Sequence, residues 1–174
     1  MDDVTVIDNF LDTESFSKIK ELMMSYNFPW YWNSDVAYSS EERKIDNPRL
    51  CSEIYNFQLV HLFYYKKKER SEYYSNILPL ITKLDCKSIA RVKANLNPVK
   101  EGELIEHGYH SDNDYTPYTA IYYINTNNGY TIFDDGTKIE SVENRMMIFK
   151  TPLVHTGTTC SDEQRRVLIN FNYF

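Results

Sequence analysis

The chain has 174 residues, a length that suits one domain with a sizeable hydrophobic core. Its formal net charge of -6 argues against a large phosphate-binding surface, which would need clustered lysines and arginines. No apolar run approaches the roughly 20 residues needed to span a bilayer, and the acidic start MDDVTVIDNF lacks a signal-peptide core. We therefore expect a soluble cytoplasmic protein.

The first segment of the chain predicts a strand followed by a helix. Residues 4–10 alternate in polarity as a strand does. Asp12 is placed to cap the next helix, whose apolar stripe begins at Phe16 and continues through Ile19. These residues predict packing and no chemistry.

The next recognisable segments are 57–65 and 71–84. The first is an apolar run that predicts a buried strand or a short helix, with His61 as a core histidine. The second has helical spacing, and Pro79 predicts either the start of that helix or a kink in it. The cysteines, at 51, 86 and 160, are too scattered for a disulfide framework or a C-x-x-C zinc site, so we expect reduced thiols.

From residue 88 onward the chain predicts mainly strands. The strand patterns cover 88–98, 119–126, 130–135, 138–142, 145–150 and 165–174, and NNG (127–129) and DDG (134–136) are tight-turn signals. Helices that precede many short strands predict helices packed on a β-sandwich or barrel. Without an internal repeat or linker, residues 1–174 form a single predicted domain.

The stretch HGYHSDNDY (107–115) contains the candidate metal ligands. On a strand, His110 and Asp112 would point to the same face. His155 follows an apolar strand and supplies a third ligand. Two histidines and one carboxylate form the facial triad of non-haem Fe(II) oxygenases, which leaves three coordination positions open. The same pattern also occurs in polar loops, and His107 is expected at the surface or behind the ligands.

The last strand carries the second candidate feature. Its alternation places Arg166, Leu168, Asn170 and Asn172 on one face. A buried arginine needs an anionic partner, because an unpaired charge in a barrel is costly. A dicarboxylate would be such a partner, held by the guanidinium fork. The alternative is that Arg165 and Arg166 both lie on the surface.

Taken together, these motifs resemble those of the prolyl-hydroxylase-like 2-oxoglutarate/Fe(II)-dependent oxygenases. The resemblance covers residues 88–174 and runs in family order through NLNP, HSD, AIYYIN, NGYTIFDDG and RMMIFKTPLVHTGTTCSDEQRRVLINFNYF. The opening strand and helix resemble the family less specifically, and residues 27–87 carry almost none of the pattern. Short proteins of this type also occur in bacteriophages, which would place this one in a host cytoplasm.

The resemblance implies an α+β, mainly β fold: a double-stranded β-helix, or cupin-like jelly roll, with N-terminal helices packed on one sheet. It implies that Fe(II) is bound by His110, Asp112 and His155. For 2-oxoglutarate it implies that Arg166 and Tyr123 bind the distal carboxylate. Further contacts to the cosubstrate are implied for Asn95, Asn97 and Asn170. Asn97 departs from the family, where tyrosine is common, and Arg165 is the alternative to Arg166.

The implied activity is hydroxylation of a C–H bond with O2, with ascorbate as an aid. The expected substrate is a prolyl or other residue of a protein or peptide, with a small molecule as the alternative and duplex nucleic acid disfavoured by the acidic charge. Substrate loops are expected at 28–48 and 111–118. Three rival readings remain open: a zinc hydrolase with Glu106 as general base, a catalytically silent binding module, and a sugar-binding or isomerising cupin-like barrel. The sequence does not reveal the oligomeric state.

Overall fold

Two antiparallel β-sheets form the frame of the molecule. The computed structural model describes residues 4–36, 53–112 and 115–174. The strands are β1 (Val4–Ile7), β2 (Tyr31–Asn33), β3 (Gln58–Tyr65), β4 (Lys68–Glu69), β5 (Ile89–Pro98), β6 (Tyr118–Tyr123), β7 (Tyr130–Phe133), β8 (Lys138–Glu140), β9 (Arg145–Lys150), β10 (His155–Gly157) and β11 (Arg165–Tyr173). The helices are α1 (Thr13–Met24) and α2 (Leu78–Leu84), with 3-10 turns at Glu53–Tyr55 and Glu72–Ile77.

The larger sheet has eight strands in the order β1-β9-β6-β11-β5-β3-β2, with β4 paired to β3. The smaller sheet has the order β10-β7-β8. The segment before residue 112 extends the smaller sheet through isolated bridges from Glu106 to Thr158 and from His110 to His155. This two-sheet, mainly β arrangement agrees with the predicted jelly roll.

The helix α1 begins and packs as the sequence predicts. The Asp12 carboxylate accepts a hydrogen bond from the Ser15 amide over 2.9 Å, which caps the helix. Its buried residues Phe16, Ile19 and Met23 join the same hydrophobic core as the larger sheet. The predicted packing of helices on one sheet is therefore confirmed.

The second helical segment also agrees with the sequence. Pro79 lies in the first turn of α2, so it marks a start and causes no kink within the helix. The run 57–65 is the strand β3, and both ring nitrogens of His61 are hydrogen-bonded, to Pro29 O and to the Ser71 hydroxyl. His61 is thus a satisfied core histidine. None of the described helices is long and apolar enough to cross a membrane.

The two predicted turns differ in what they connect. DDG closes the β7–β8 hairpin, where Gly136 has φ of 89° and its amide donates to Phe133 O over 2.9 Å. NNG instead links strands of different sheets, β6 and β7. It turns through an Asn127 side chain that accepts from the Gly129 amide over 3.0 Å.

Part of the predicted substrate loop is described. Trp30 packs against the core, whereas Tyr31 and Trp32 are 61% and 66% exposed on the edge strand β2. Trp32 stacks on Phe57 with ring centroids 4.6 Å apart. Residues 37–48 of the predicted loop, residues 113 and 114 of the second loop, and Cys51 lie outside the described residues. Cys86 and Cys160 are free thiols.

Candidate active site

The predicted triad comes together between the two sheets. The ligand atoms of His110, Asp112 and His155 all lie within 4.8 Å of one another. Two backbone hydrogen bonds of 2.9 Å, one in each direction between His110 and His155, hold the two histidines side by side. All three residues line one cavity. The spacing of this cluster is suited to a single metal ion.

The local structure that produces this convergence differs from the prediction. His110 lies in an isolated bridge and Asp112 in a bend, so the same-face argument for a strand does not apply. His155 does not end the apolar strand β9, which stops at Lys150; it begins β10 in the other sheet. The ligands meet because the segment that carries His110 pairs with β10.

Both histidines present the same nitrogen to the cluster. The Nδ1 atom of His110 lies 3.0 Å from Gly108 O, and the Nδ1 atom of His155 lies 3.0 Å from Leu153 O. Because a carbonyl oxygen only accepts, each Nδ1 carries the proton and each Nε2 keeps its lone pair. This second hydrogen bond is the arrangement that orients metal-binding histidines. The donor set therefore fits a divalent metal.

Asp112 is held by neighbouring polar side chains. Its Oδ2 accepts from the Thr119 hydroxyl over 3.0 Å and from the amides of Asn170 and Asn172, each over 3.1 Å. Its Oδ1 lies 3.4 Å from Arg91 Nη2 and 3.9 Å from His110 Nε2. Burial raises the pKa of this carboxyl, but His155, Arg91 and His110 outweigh it and hold the pKa below its usual value. Asp112 is thus kept ionised.

Arg166 lies inside the same cavity and is 1% exposed. Its Nε donates to the Ser141 hydroxyl over 2.7 Å, and its Nη2 donates to the Thr131 hydroxyl over 3.1 Å. Within the part of the chain that the structure describes, no carboxylate forms an ion pair with it. Arg165 lies on the other face and donates to Met24 O. The predicted orientation of β11 is confirmed.

Tyr123 lies beside Arg166 rather than on the cavity wall. Its ring centroid is 5.6 Å from the Arg166 guanidinium carbon, and its hydroxyl donates to Thr131 over 2.9 Å. Burial raises the pKa of this phenol, which keeps the hydroxyl protonated as a donor. Thr131, rather than Tyr123, lines the cavity next to Arg166. A direct contact from Tyr123 to a cosubstrate remains a prediction.

The three predicted asparagines all line the cavity. The Asn97 Nδ2 atom lies 3.3 Å from His107 Nε2, and the Asn170 side-chain amide donates to Asp112. The side-chain oxygens of Asn95 and Asn170 are buried and have no hydrogen-bond partner within residues 4–36, 53–112 and 115–174. Those oxygens leave acceptors available for a bound molecule.

Of the two positions expected for His107, the surface is excluded, and the side chain instead lies buried beside the ligands. The side chain is 1% exposed and lines the cavity beside Arg166. The His107 amide donates to Gly157 O, which draws this segment against β10. Burial, then the charge of Arg166, lowers the pKa of His107 to about 4, so the ring is neutral at neutral pH.

Sequence reasoning assigned no role to several residues around the triad. Arg91 and Lys93 share one face of β5 with Asn95 and Asn97, at alternate positions. The asparagines were named from the family resemblance, and strand alternation counted back from them would have found both cations. Thr119 and Asn172 also carry no signal of their own, since a buried Thr or Asn is common in strands of any function.

Neither a protein-family model nor a curated protein sequence matches this chain. Solved structures do. A prolyl hydroxylase from Trichoplax adhaerens, in complex with a hypoxia inducible factor oxygen degradation domain peptide fragment, is 14% identical with a TM-score of 0.67, over 98% of this chain and 83% of that one. A 2OG-Fe(II) oxygenase family oxidoreductase from Burkholderia pseudomallei is 12% identical with a TM-score of 0.66, over 98% and 84%.

A third similar structure is a viral collagen prolyl hydroxylase from Paramecium Bursaria Chlorella virus-1, solved as a 2OG complex. It is 16% identical with a TM-score of 0.55, over 97% of this chain and 94% of that one. These likenesses extend across nearly the whole chain, including the residues before 88 that carry little of the sequence pattern. They show the fold, and the jelly roll predicted from the sequence is confirmed.

Proposed function

We propose that this chain, which has the fold of the prolyl-hydroxylase-like 2-oxoglutarate/Fe(II) oxygenases, is a dioxygenase that hydroxylates a C–H bond of a substrate. In this proposal His110, Asp112 and His155 bind Fe(II), and Arg166 binds the distal carboxylate of 2-oxoglutarate. Asn95, Asn97 and Asn170 line the cosubstrate, and Tyr123 supports its distal end through Thr131.

One observation carries this proposal: a single cavity is lined both by the His/Asp/His cluster and by a buried arginine that forms no ion pair with the described residues. The cluster alone would suit several metals. The added Arg166 supplies a fixed, desolvated cation at a distance from the cluster, which is what a metal-chelating dicarboxylate requires at its far end. A charged hydrogen bond of this kind contributes about 1.5–3 kcal/mol.

The residues of the chain would hold and isolate the reactants. Bound Fe(II) with 2-oxoglutarate and O2 would supply the oxidation chemistry. Asp112 stays deprotonated because the charges of His155, Arg91 and His110 outweigh the effect of its burial on its pKa, and both histidines keep Nε2 available. Ser141 and Thr131 fix the guanidinium of Arg166, so the distal carboxylate would meet a preorganised donor pair.

We propose a protein or peptide as the substrate, with a prolyl side chain as the first candidate. The peptide in the Trichoplax adhaerens complex supports a peptide substrate for this fold. The exposed rings of Tyr31 and Trp32 lie on β2, two strands from the β5 face that lines the cavity, and such rings bind a proline ring by stacking. The cytoplasmic location stays a prediction.

The zinc hydrolase reading receives no support from Glu106. Its carboxylate accepts hydrogen bonds from the hydroxyls of Tyr130, over 2.8 Å, and Tyr109, over 3.3 Å. It does not belong to the residues that line the cavity of the cluster. A hydrolase would also leave the buried Arg166 without a role.

The test is the slow production of succinate from 2-oxoglutarate by purified protein supplied with Fe(II) and ascorbate. Wild type should release succinate even without a primary substrate, and His110→Ala should not, because the metal site would lose one of its three ligands. Equal release from both proteins would refute the proposal. Mass spectrometry of peptides incubated with the protein should then show a gain of one oxygen on the substrate residue.

A further inference from the structure

We infer that Lys93 is a second cationic contact for the cosubstrate: its ammonium group binds the carboxylate at the metal end of 2-oxoglutarate, opposite the end that Arg166 binds. This inference rests on the proposed function. It assigns a ligand to a lysine that the sequence motifs leave without a role.

The position of Lys93 is set by the alternation of β5. Val92, Ala94 and Leu96 face the hydrophobic core, so Lys93 faces the cavity. In the sheet register Lys93 pairs with Asn170 of β11, whose amide binds Asp112. Lys93 therefore lies level with the His/Asp/His cluster.

Arg166 lies at the other end of the same cavity. It pairs in register with Asn97, four residues along β5 from Lys93. Four residues of strand span about 13 Å between backbone positions, and both long side chains line the cavity. Two cations placed in this way suit a short dicarboxylate that lies between them, with its keto acid end at the metal.

The three cations near the cluster differ in what they already bind. Arg91 donates to Asp112 and to the Asn172 side chain. Arg166 is fixed by hydroxyl groups. Among the described residues, the Lys93 ammonium group has neither a hydrogen bond nor an ion pair. The ammonium group of Lys93 is thus available for a ligand, whereas the guanidinium groups of both arginines already donate to neighbouring side chains.

The nearest acid does not satisfy Lys93. The Asp112 carboxylate attracts the positive charge of Lys93, but its oxygens already accept hydrogen bonds from four other side chains. Burial, reinforced by Arg91, lowers the pKa of Lys93 to about 8. Lys93 is half-buried, and an ammonium that loses part of its hydration without an ion pair among the described residues is costly; a carboxylate bound at the metal would offset that cost.

The experiment measures ligand binding to protein loaded with Mn(II), which does not turn over. Two probes are titrated by calorimetry: 2-oxoglutarate, and 2-oxobutyrate, which has the keto acid but no distal carboxylate. Lys93→Met should weaken both probes by about 10–100-fold, the effect of losing one charged hydrogen bond. Arg166→Met should weaken 2-oxoglutarate and leave 2-oxobutyrate nearly unchanged.

Matched variants separate this role from a general loss of structure. Lys93→Arg should retain most of the affinity, Lys93→Gln should repeat the loss, and the exposed lysine variant Lys87→Met should behave as wild type. The melting temperature and the Mn(II) affinity of each protein are measured beside the titrations. A loss confined to proteins that also lose Mn(II) affinity would indicate a damaged metal site and overturn the inference.

The remaining outcomes are also decisive. Unchanged affinity of Lys93→Met for both keto acids would overturn the inference and leave the proposed function intact; the lysine would then face the primary substrate. A loss for 2-oxoglutarate alone would place Lys93 at the distal end and also overturn it. If metal-loaded wild type bound neither keto acid, the proposed function itself would fail, and the role of Lys93 with it.

Discussion

The Asn172 side chain donates to Oδ2 of Asp112 over 3.1 Å, and Arg91 Nε in turn donates to Oδ1 of Asn172 over 2.9 Å. Arg91 thereby fixes which end of the Asn172 amide faces the carboxylate. With Oδ2 occupied, Asp112 directs Oδ1 toward His110 Nε2, 3.9 Å away. The orientation of a predicted metal ligand thus depends on a residue two positions from the end of the chain.

Asn172→Ala should weaken Mn(II) binding by about 10–100-fold, the usual effect of removing a hydrogen bond behind a metal ligand. Calorimetry on the metal-free protein measures this directly. Asn128→Ala, which alters an exposed loop amide, serves as the control. An Asn172→Ala protein that melts cooperatively and binds Mn(II) as wild type does would show that Thr119 and Asn170 suffice to orient the carboxylate.

The two adjacent arginines should differ sharply in their effect on the cosubstrate. Arg166→Ala should raise the 2-oxoglutarate concentration required for half-maximal succinate release at least about tenfold, because a charged hydrogen bond is lost inside the cavity. Arg165→Ala should change it little, since Arg165 contacts the Met24 carbonyl on the other face. The opposite ranking would show that β11 presents its other face to the cosubstrate.

Gly157→Ala tests how tightly the position of Arg166 is set. A Cβ atom at residue 157 would lie 3.1 Å from Arg166 Nη1, so the guanidinium must shift. We expect 2-oxoglutarate affinity to fall several-fold while the protein remains folded.

The matched control for Gly157→Ala is Gly136→Ala. This change strains a turn in which Gly136 has φ of 89°, but the added Cβ atom would have no other heavy atom within 4 Å. It should lower the melting temperature and leave the affinity unchanged. Equal 2-oxoglutarate affinity in wild type and Gly157→Ala would mean that the guanidinium tolerates displacement.

The stability of the metal-free protein should depend on pH through His107. Burial lowers its pKa to about 4, against an ordinary value of about 6.5. Between these values the unfolded chain binds a proton that the folded chain does not, so the free energy of unfolding falls as pH falls from about 6.5 to about 4. One such group contributes a slope of up to about 1.4 kcal/mol per pH unit.

His107→Gln removes this titration while keeping an acceptor for Asn97. Urea unfolding between pH 7 and pH 5, with a chelator present, should therefore show a shallower slope for the variant than for wild type. Parallel curves for the two proteins would indicate that the folded protein admits the proton at His107, so that the ring is less buried in solution than the structure shows.

The order of elements and the face of the last strand could be read from the sequence because both follow from local periodicity. The apolar stripe from Phe16, the Asp12 cap and the alternation of β11 are short-range patterns, and the structure agrees with each. The three residues named for the metal lie together in the structure, although the same-face reasoning for His110 and Asp112 was wrong, and their binding of a metal stays a prediction. A motif shared across a family can indicate candidate ligands even where the local conformation is misjudged.

The tertiary structure decided which residues surround the predicted metal ligands. That His110 pairs with His155 depends on a bridge between segments 45 residues apart in the chain, and no periodicity encodes it. The same holds for the hydrogen bond from Asn172 to Asp112, for the burial of His107 and for the Lys93 ammonium, which is unpaired in the part of the chain that the structure describes. A sequence determines which side chains can share a face, because alternation is local; which faces meet is decided by the pairing of distant strands, and that pairing alone brings the charges of this cavity together.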